Sequence, residues 1–158
     1  MQKRVLLSGA TGLIGGELML LLAARGVAST AVVRAPDRSA ANTRLLERLQ
    51  KSVLWKPEFA ALVSAEAGDI EAADFGLNPE VIASANVILH SAASTSFKPD
   101  AGVYPINIRA ASNFAGILKK LKPSQRGFFV GTAAVTTEPQ GVITEDMPFA
   151  GYANDYIR

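Results

Sequence analysis

Three glycines at fixed intervals carry the strongest chemical signal in the chain. They stand in Ser8-Gly9-Ala10-Thr11-Gly12-Leu13-Ile14-Gly15-Gly16, after the apolar run Val5-Leu6-Leu7 and before Glu17-Leu18-Met19-Leu20-Leu21-Leu22-Ala23-Ala24. A buried strand, a glycine turn and a helix in that order form a phosphate cradle. Gly9 permits the tight turn, Gly12 lets a pyrophosphate approach the backbone, and Gly15 lets the helix pack closely on the strand. Backbone N–H groups at the helix start then face the phosphates. The spacing is Gly-x-x-Gly-x-x-Gly, not the Gly-x-Gly-x-x-Gly of many dehydrogenases.

Other chemistries are poorly supplied. The 158 residues include no cysteine and a single histidine, His90, so thiolate nucleophiles, disulfides, thiolate zinc sites and histidine metal clusters have no ligands. Cysteine absence fits a reducing cytoplasm. Sixteen Lys and Arg against 14 Asp and Glu give a charge of +2, too mild to point to nucleic acid or an anionic membrane. The start faintly imitates a signal peptide, but glycines break its apolar core and Glu17 follows, so export is not expected. The run from Leu18 to Ala24 is far too short to span a bilayer.

The elements that must position the turn alternate along the chain. Strands are predicted at Val5–Leu7, Ser29–Arg34, Leu62–Ala67, Asn86–His90 and Gly127–Gly131, with helices over Glu17–Ala24, Ala40–Leu49 and Pro105–Leu121. Pro36 and Asp37 read as loop, with Asp37 turned to solvent. This alternation predicts a doubly wound α/β fold with a parallel sheet, and right-handed crossovers give the strand order 3-2-1-4-5. Ligand then belongs at the carboxyl ends of strands one and four, where the order reverses. At that strand end, His90 reads as a packed residue rather than a catalyst.

With these marks in order, the chain resembles the extended short-chain dehydrogenase/reductase superfamily, and within it the thioester reductase and fatty acyl-CoA reductase branch. The marks are Gly9-Ala10-Thr11-Gly12-Leu13-Ile14-Gly15, Val33-Arg34-Ala35, Gly68-Asp69-Ile70 with Phe75-Gly76-Leu77, His90-Ser91-Ala92-Ala93 with Phe97, Asn107, and Phe129-Val130-Gly131-Thr132-Ala133. The resemblance covers residues 1–158 and implies a Rossmann-type NAD(P)-binding domain that stops before a sixth strand and a substrate lobe. This stretch by itself is therefore expected to be catalytically incomplete while still binding adenine nucleotide.

The resemblance also implies roles. Gly9, Thr11, Gly12, Leu13, Ile14 and Gly15 would hold the cofactor at the turn. Arg34 ends the second strand where an acid would accept bonds from an adenosine ribose; a guanidinium there suits a 2′-phosphate instead, which makes NADP(H) the expected cofactor. Arg44 sits where the branch often has a second arginine. Asp69 would accept a hydrogen bond from the adenine amino group beside Ile70. Ser91, Ala92 and Ala93 are small enough for the nicotinamide ribose to lie against the backbone. Asn107 belongs to a motif that steadies the catalytic region, written Asn-Val-x-Gly-Thr in relatives and Asn107-Ile108-Arg109-Ala110-Ala111 here.

Catalysis in the superfamily uses a Ser or Thr, a Tyr, and a Lys four residues after the Tyr. Thr132 matches the hydroxyl position. Tyr152 and Tyr156 compete for the acid. Tyr156 fits the Asn-x-Tyr pattern better, and its lysine would fall just past Arg158. The expected activity is NADPH-dependent reduction of a thioester or aldehyde on a small or carrier-bound acyl or peptidyl substrate. The alternatives are a nucleotide-sugar epimerase or dehydratase of the same superfamily, and a non-catalytic dinucleotide sensor.

Overall fold

The computed structural model describes residues 3–96 and 102–131; Phe97, Thr132, Tyr152 and Tyr156 lie outside them. Five parallel strands form one sheet: β1 (Arg4–Ser8), β2 (Ala28–Val33), β3 (Val63–Ala67), β4 (Val87–His90) and β5 (Arg126–Phe129). Their order is β3-β2-β1-β4-β5, as the crossover rule requires. β1 is central, with Leu6 beside Thr30 on one flank and Ile88 on the other.

Strand residues alternate between two cores. Leu7, Ala31 and Val33 face helices α1 (Leu13–Ala23) and α2 (Arg38–Leu49), packing against Met19, Leu20, Leu45 and Leu49. Their neighbours Leu6 and Val32 point the other way, with Ile88, toward Phe75 and toward Phe114 and Ile117 of the last described helix. Both faces are covered, which is why these strands read as apolar runs rather than alternating ones. The short α3 (Pro79–Ser84) and the long α4 (Val103–Leu118) lie on the second face. Among the described residues, no helix is long and apolar enough to cross a membrane.

The structure differs from the sequence reading at several boundaries. α1 begins at Leu13, four residues before the expected start, so Gly15 and Gly16 are helical and buried. Asp37 is exposed, as expected, but it does more than a loop residue. It caps α2, its carboxylate accepting the Ala40 N–H at 2.8 Å. A capping carboxylate satisfies an otherwise orphaned helix donor, and this starts α2 two residues early. The segment after β3 also departs from expectation. Asp74 and Phe75 have φ of 51° and 57°, a left-handed conformation that side chains rarely adopt. Two interactions hold it: Lys120 pairs with Asp74 at 2.7 Å, and the Phe75 ring is buried against His90 and Phe114.

Candidate dinucleotide site

The site forms where β1 and β4 end and their connections diverge to opposite faces. Gly9 turns the chain at φ +85°, and a Cβ there would come within 2.7 Å of the Ala92 backbone nitrogen. The turn and the segment after β4 are thus in direct contact. The Ser91 hydroxyl reinforces this by donating to the Ser8 carbonyl at 2.8 Å. On the helix side, a Cβ on Gly15 would collide with the Gly9 carbonyl oxygen. The three glycines therefore remove side chains where three backbone segments converge.

Gly12 is the α1 N-cap and offers no side-chain acceptor. First-turn N–H groups of a helix lack intrahelical partners, and the positive end of the helix dipole lies at Gly12, which lines the larger cavity. Leu13 and Ile14 lie in this first turn with their side chains exposed. Any cofactor contact they make would run through backbone N–H groups. Arg48, from the last turn of α2, reaches the Gly12 carbonyl at 3.4 Å.

Two adjoining cavities share the turn. One, of about 420 Å³, is lined by Gly12 and by Ser91, Ala92, Ala93 and Ser94, with Ile106 and Glu71 at its sides. The other, of about 180 Å³, lies against Val32, Val33, Gly68 and Asp69, with Arg34 and Arg44 at its mouth. Gly9, Thr11, Arg34, Ile70 and Ala92 border both. The structure brings together most of the residues that the sequence singled out. Asn107 has a different place. Its side-chain oxygen accepts the Ser94 N–H at 2.8 Å and its amide donates to the Ser94 carbonyl at 3.0 Å. It holds the segment after β4 by the backbone.

The charges at the smaller cavity are paired with one another. Arg34 Nη2 donates to Asp69 Oδ1 at 2.9 Å and to Glu71 Oε1 at 3.2 Å. Arg44 Nη1 donates to the Arg34 carbonyl at 2.8 Å, so the two arginines are arranged by one strand end. The Glu71 backbone N–H holds the Asp69 carboxyl below the ordinary carboxylate range; burial opposes this, and the Arg34 guanidinium adds to the lowering. Glu71 and Arg109 had no sequence signal. Arg109 binds the second Glu71 oxygen at 2.6 Å from α4, and only the fold brings residues 38 positions apart into this pair.

His90 is packed under the site. Its ring shares a 2.6 Å hydrogen bond with the Ser8 hydroxyl and lies against Phe75, Phe114 and Phe129. Burial pushes its pKa down to about 4, leaving it neutral near pH 7.

A parallel sheet with a glycine cradle at its switch point defines a dinucleotide-binding Rossmann domain. Over residues 7–155 the chain matches the NAD-binding family described as Male sterility protein, and it belongs to that family, within the thioester reductase branch of the extended short-chain dehydrogenase/reductases. It is 28% identical over 152 residues to peramine synthetase ppzA of Metarhizium rileyi, covering 90% of this chain and 5% of that protein. It is 28% identical to the reductase domain of a non-ribosomal peptide synthetase from Mycobacterium tuberculosis, with a TM-score of 0.67 over 85% of this chain and 34% of that one. The terminal R domain of the myxalamid PKS-NRPS pathway has the same fold, with a TM-score of 0.83 at 22% identity over 99% of this chain and 42% of that one. The chain thus spans a small part of the curated relative and less than half of each reductase domain.

Proposed function

We propose that the chain is the cofactor-binding domain of an NADPH-dependent reductase that acts on a thioester or aldehyde of a carrier-bound acyl or peptidyl substrate in the cytoplasm. The observation that carries this reading is the cleft at the switch point, in a chain that belongs to an NAD-binding family and is similar to part of a peramine synthetase and to the reductase domain of a non-ribosomal peptide synthetase. The same relatives give no support to the epimerase or sensor alternatives. The residues present fit the cofactor. Gly9 and Gly15 let the turn, the helix and the segment after β4 close to backbone distance, and the Gly12 cap, at the edge of the larger cavity, leaves helix N–H groups for the pyrophosphate.

In this reading Thr11 and Gly12 border the pyrophosphate, while Ser91, Ala92 and Ala93 form the wall for the nicotinamide ribose. Asn107 fixes that wall through Ser94. Ile70 lies against the adenine and Asp69 accepts from its amino group. Arg34, with Arg44 behind it, receives the 2′-phosphate. A bound nicotinamide would supply hydride. Thr132 orients the substrate carbonyl, and Tyr156 delivers the proton to its oxygen. General acid–base groups contribute ~10²–10⁴ in rate.

The test is reduction of a carrier-bound acyl thioester by the intact protein, followed by loss of reduced nicotinamide and by appearance of aldehyde and free thiol. Tyr156→Phe should lower kcat by about that factor with cofactor binding nearly intact. An effect of Tyr152→Phe with a silent Tyr156→Phe would move the acid to Tyr152. An intact protein that binds NADPH yet consumes it with no thioester or aldehyde would sink the reading.

A further inference from the structure

Arg34 is already engaged in this structure, and by a residue that is itself held. Glu71 is the less exposed member of the pair, at 24% against 62% for the Arg34 side chain. Its backbone N–H donates to Asp69 Oδ1 at 3.0 Å, and the preceding carbonyl, of Ile70, accepts from Asn113 of α4 at 2.9 Å. Its second carboxylate oxygen takes both Nε and Nη2 of Arg109, at 3.1 and 2.6 Å. Glu71 is therefore a held negative charge at the border of the larger cavity, and Arg34 is the more exposed partner. Both Arg34 contacts run through Nη2, so among the described residues its Nε edge has no partner.

We propose that Glu71 is a specificity-determining residue: its carboxylate competes with the cofactor's 2′-phosphate for Arg34, and Arg109 limits that competition by engaging the other carboxylate oxygen. This rests on the reading of Arg34 as the 2′-phosphate contact. A phosphate arriving at Arg34 meets a like charge one guanidinium away, which weakens NADPH without touching NADH. Arg109 is a positioning residue. It neutralises Glu71 from α4, and its effect on the phosphate passes through that carboxylate. All three side chains are partly solvated, so each effect is small, about two- to fivefold, and is screened by salt.

The experiment is fluorescence titration of NADPH and NADH into the intact protein at low salt, as wild type, R34A, E71Q, R109Q, R109K and E71Q/R109Q. E71Q is expected to tighten NADPH by about two- to fivefold and leave NADH unchanged. R109Q is expected to weaken NADPH by a similar factor, R109K to recover most of that loss, and R109Q to have no further effect once E71Q is present. An NADPH preference that R34A abolishes but E71Q leaves unchanged overturns the role of Glu71 while sparing that of Arg34. Equal wild-type affinities for the two cofactors overturn the Arg34 reading itself. Parallel shifts in NADPH and NADH, or an R109Q effect that persists with E71Q, mean general destabilisation or direct action and overturn the proposal.

Discussion

The two ends of the cleft are built by opposite means. At the glycine turn, side chains are absent: Gly9 and Gly15 let a turn, a helix and the segment after β4 come together at backbone distance. At the smaller cavity, side chains accumulate: Arg34, Asp69, Glu71 and Arg109 form a chain of ion pairs over partly exposed surface. The first device is steric, and it leaves little room for substitution. The second is electrostatic. On the proposed function it is the part that would tell one dinucleotide from another, and single charges would retune it, because exposed pairs are individually weak.

The contrast can be broken hardest at the turn. Gly15→Val puts a branched side chain against the Gly9 carbonyl, a backbone atom that no rotamer change relieves. It should cost roughly 3 kcal/mol or more and abolish NADPH and NADH binding together. Urea unfolding alongside nucleotide titration measures both, and a variant that keeps normal stability and binding would show that the helix has room to move. Beneath the turn, the His90 stack should make the steric half sensitive to acid. The unfolded imidazole takes its proton near pH 6.5 and the folded one near 4, so stability present at pH 7 is lost as pH falls through that window. The loss should be on the order of 1–3 kcal/mol. Unfolding midpoints from pH 7 to 4.5 should fall for wild type and flatten for His90→Phe; equal slopes would move the acid sensitivity elsewhere.

Arg34→Ala sharpens the comparison from the other side. It should reduce NADPH affinity by about tenfold and leave stability and NADH affinity unchanged. A charge-assisted phosphate contact is worth roughly 1.5–3 kcal/mol. The lower end applies because Arg34 is largely exposed and gives up two carboxylates to bind the phosphate. Added salt should weaken NADPH more than NADH. A preference that survives the mutation would shift the phosphate contact to Arg44.

The same contrast decides what could be read in the sequence. The strand order, the site at the ends of β1 and β4 and the glycine cradle were legible, because each depends on local pattern: apolar runs, crossover spacing and missing side chains. The capping role of Asp37 was missed because a capping aspartate and a loop aspartate carry the same letter, and only the bond to Ala40 separates them. The left-handed pair Asp74 and Phe75 was invisible because neither is glycine; Lys120 and the aromatic stack hold that conformation, and both come from distant segments. Asn107 was legible as important but not in its action, which is on the Ser94 backbone. Glu71 belongs to no local motif, and Arg109 fills only the variable position of the Asn107 motif. Their meaning exists only once α4 lies beside the end of β3.

The central place of β1 has a consequence for the nascent chain. One flank of this strand pairs with β2, which follows soon after, whereas the other waits for β4, and the Ser8–His90 bond joins residues 82 positions apart. At translation speeds of about 5–20 residues per second, that flank stays without its partner for roughly 4–16 s. Through that interval β1, β2 and β3 can already close over α1 and α2, while the edge of β1 that will carry the cofactor cleft offers unpaired backbone groups to any strand nearby. The glycine cradle is thus begun with β1 and finished only when β4 arrives, and it is in that interval that a chaperone would have most to protect.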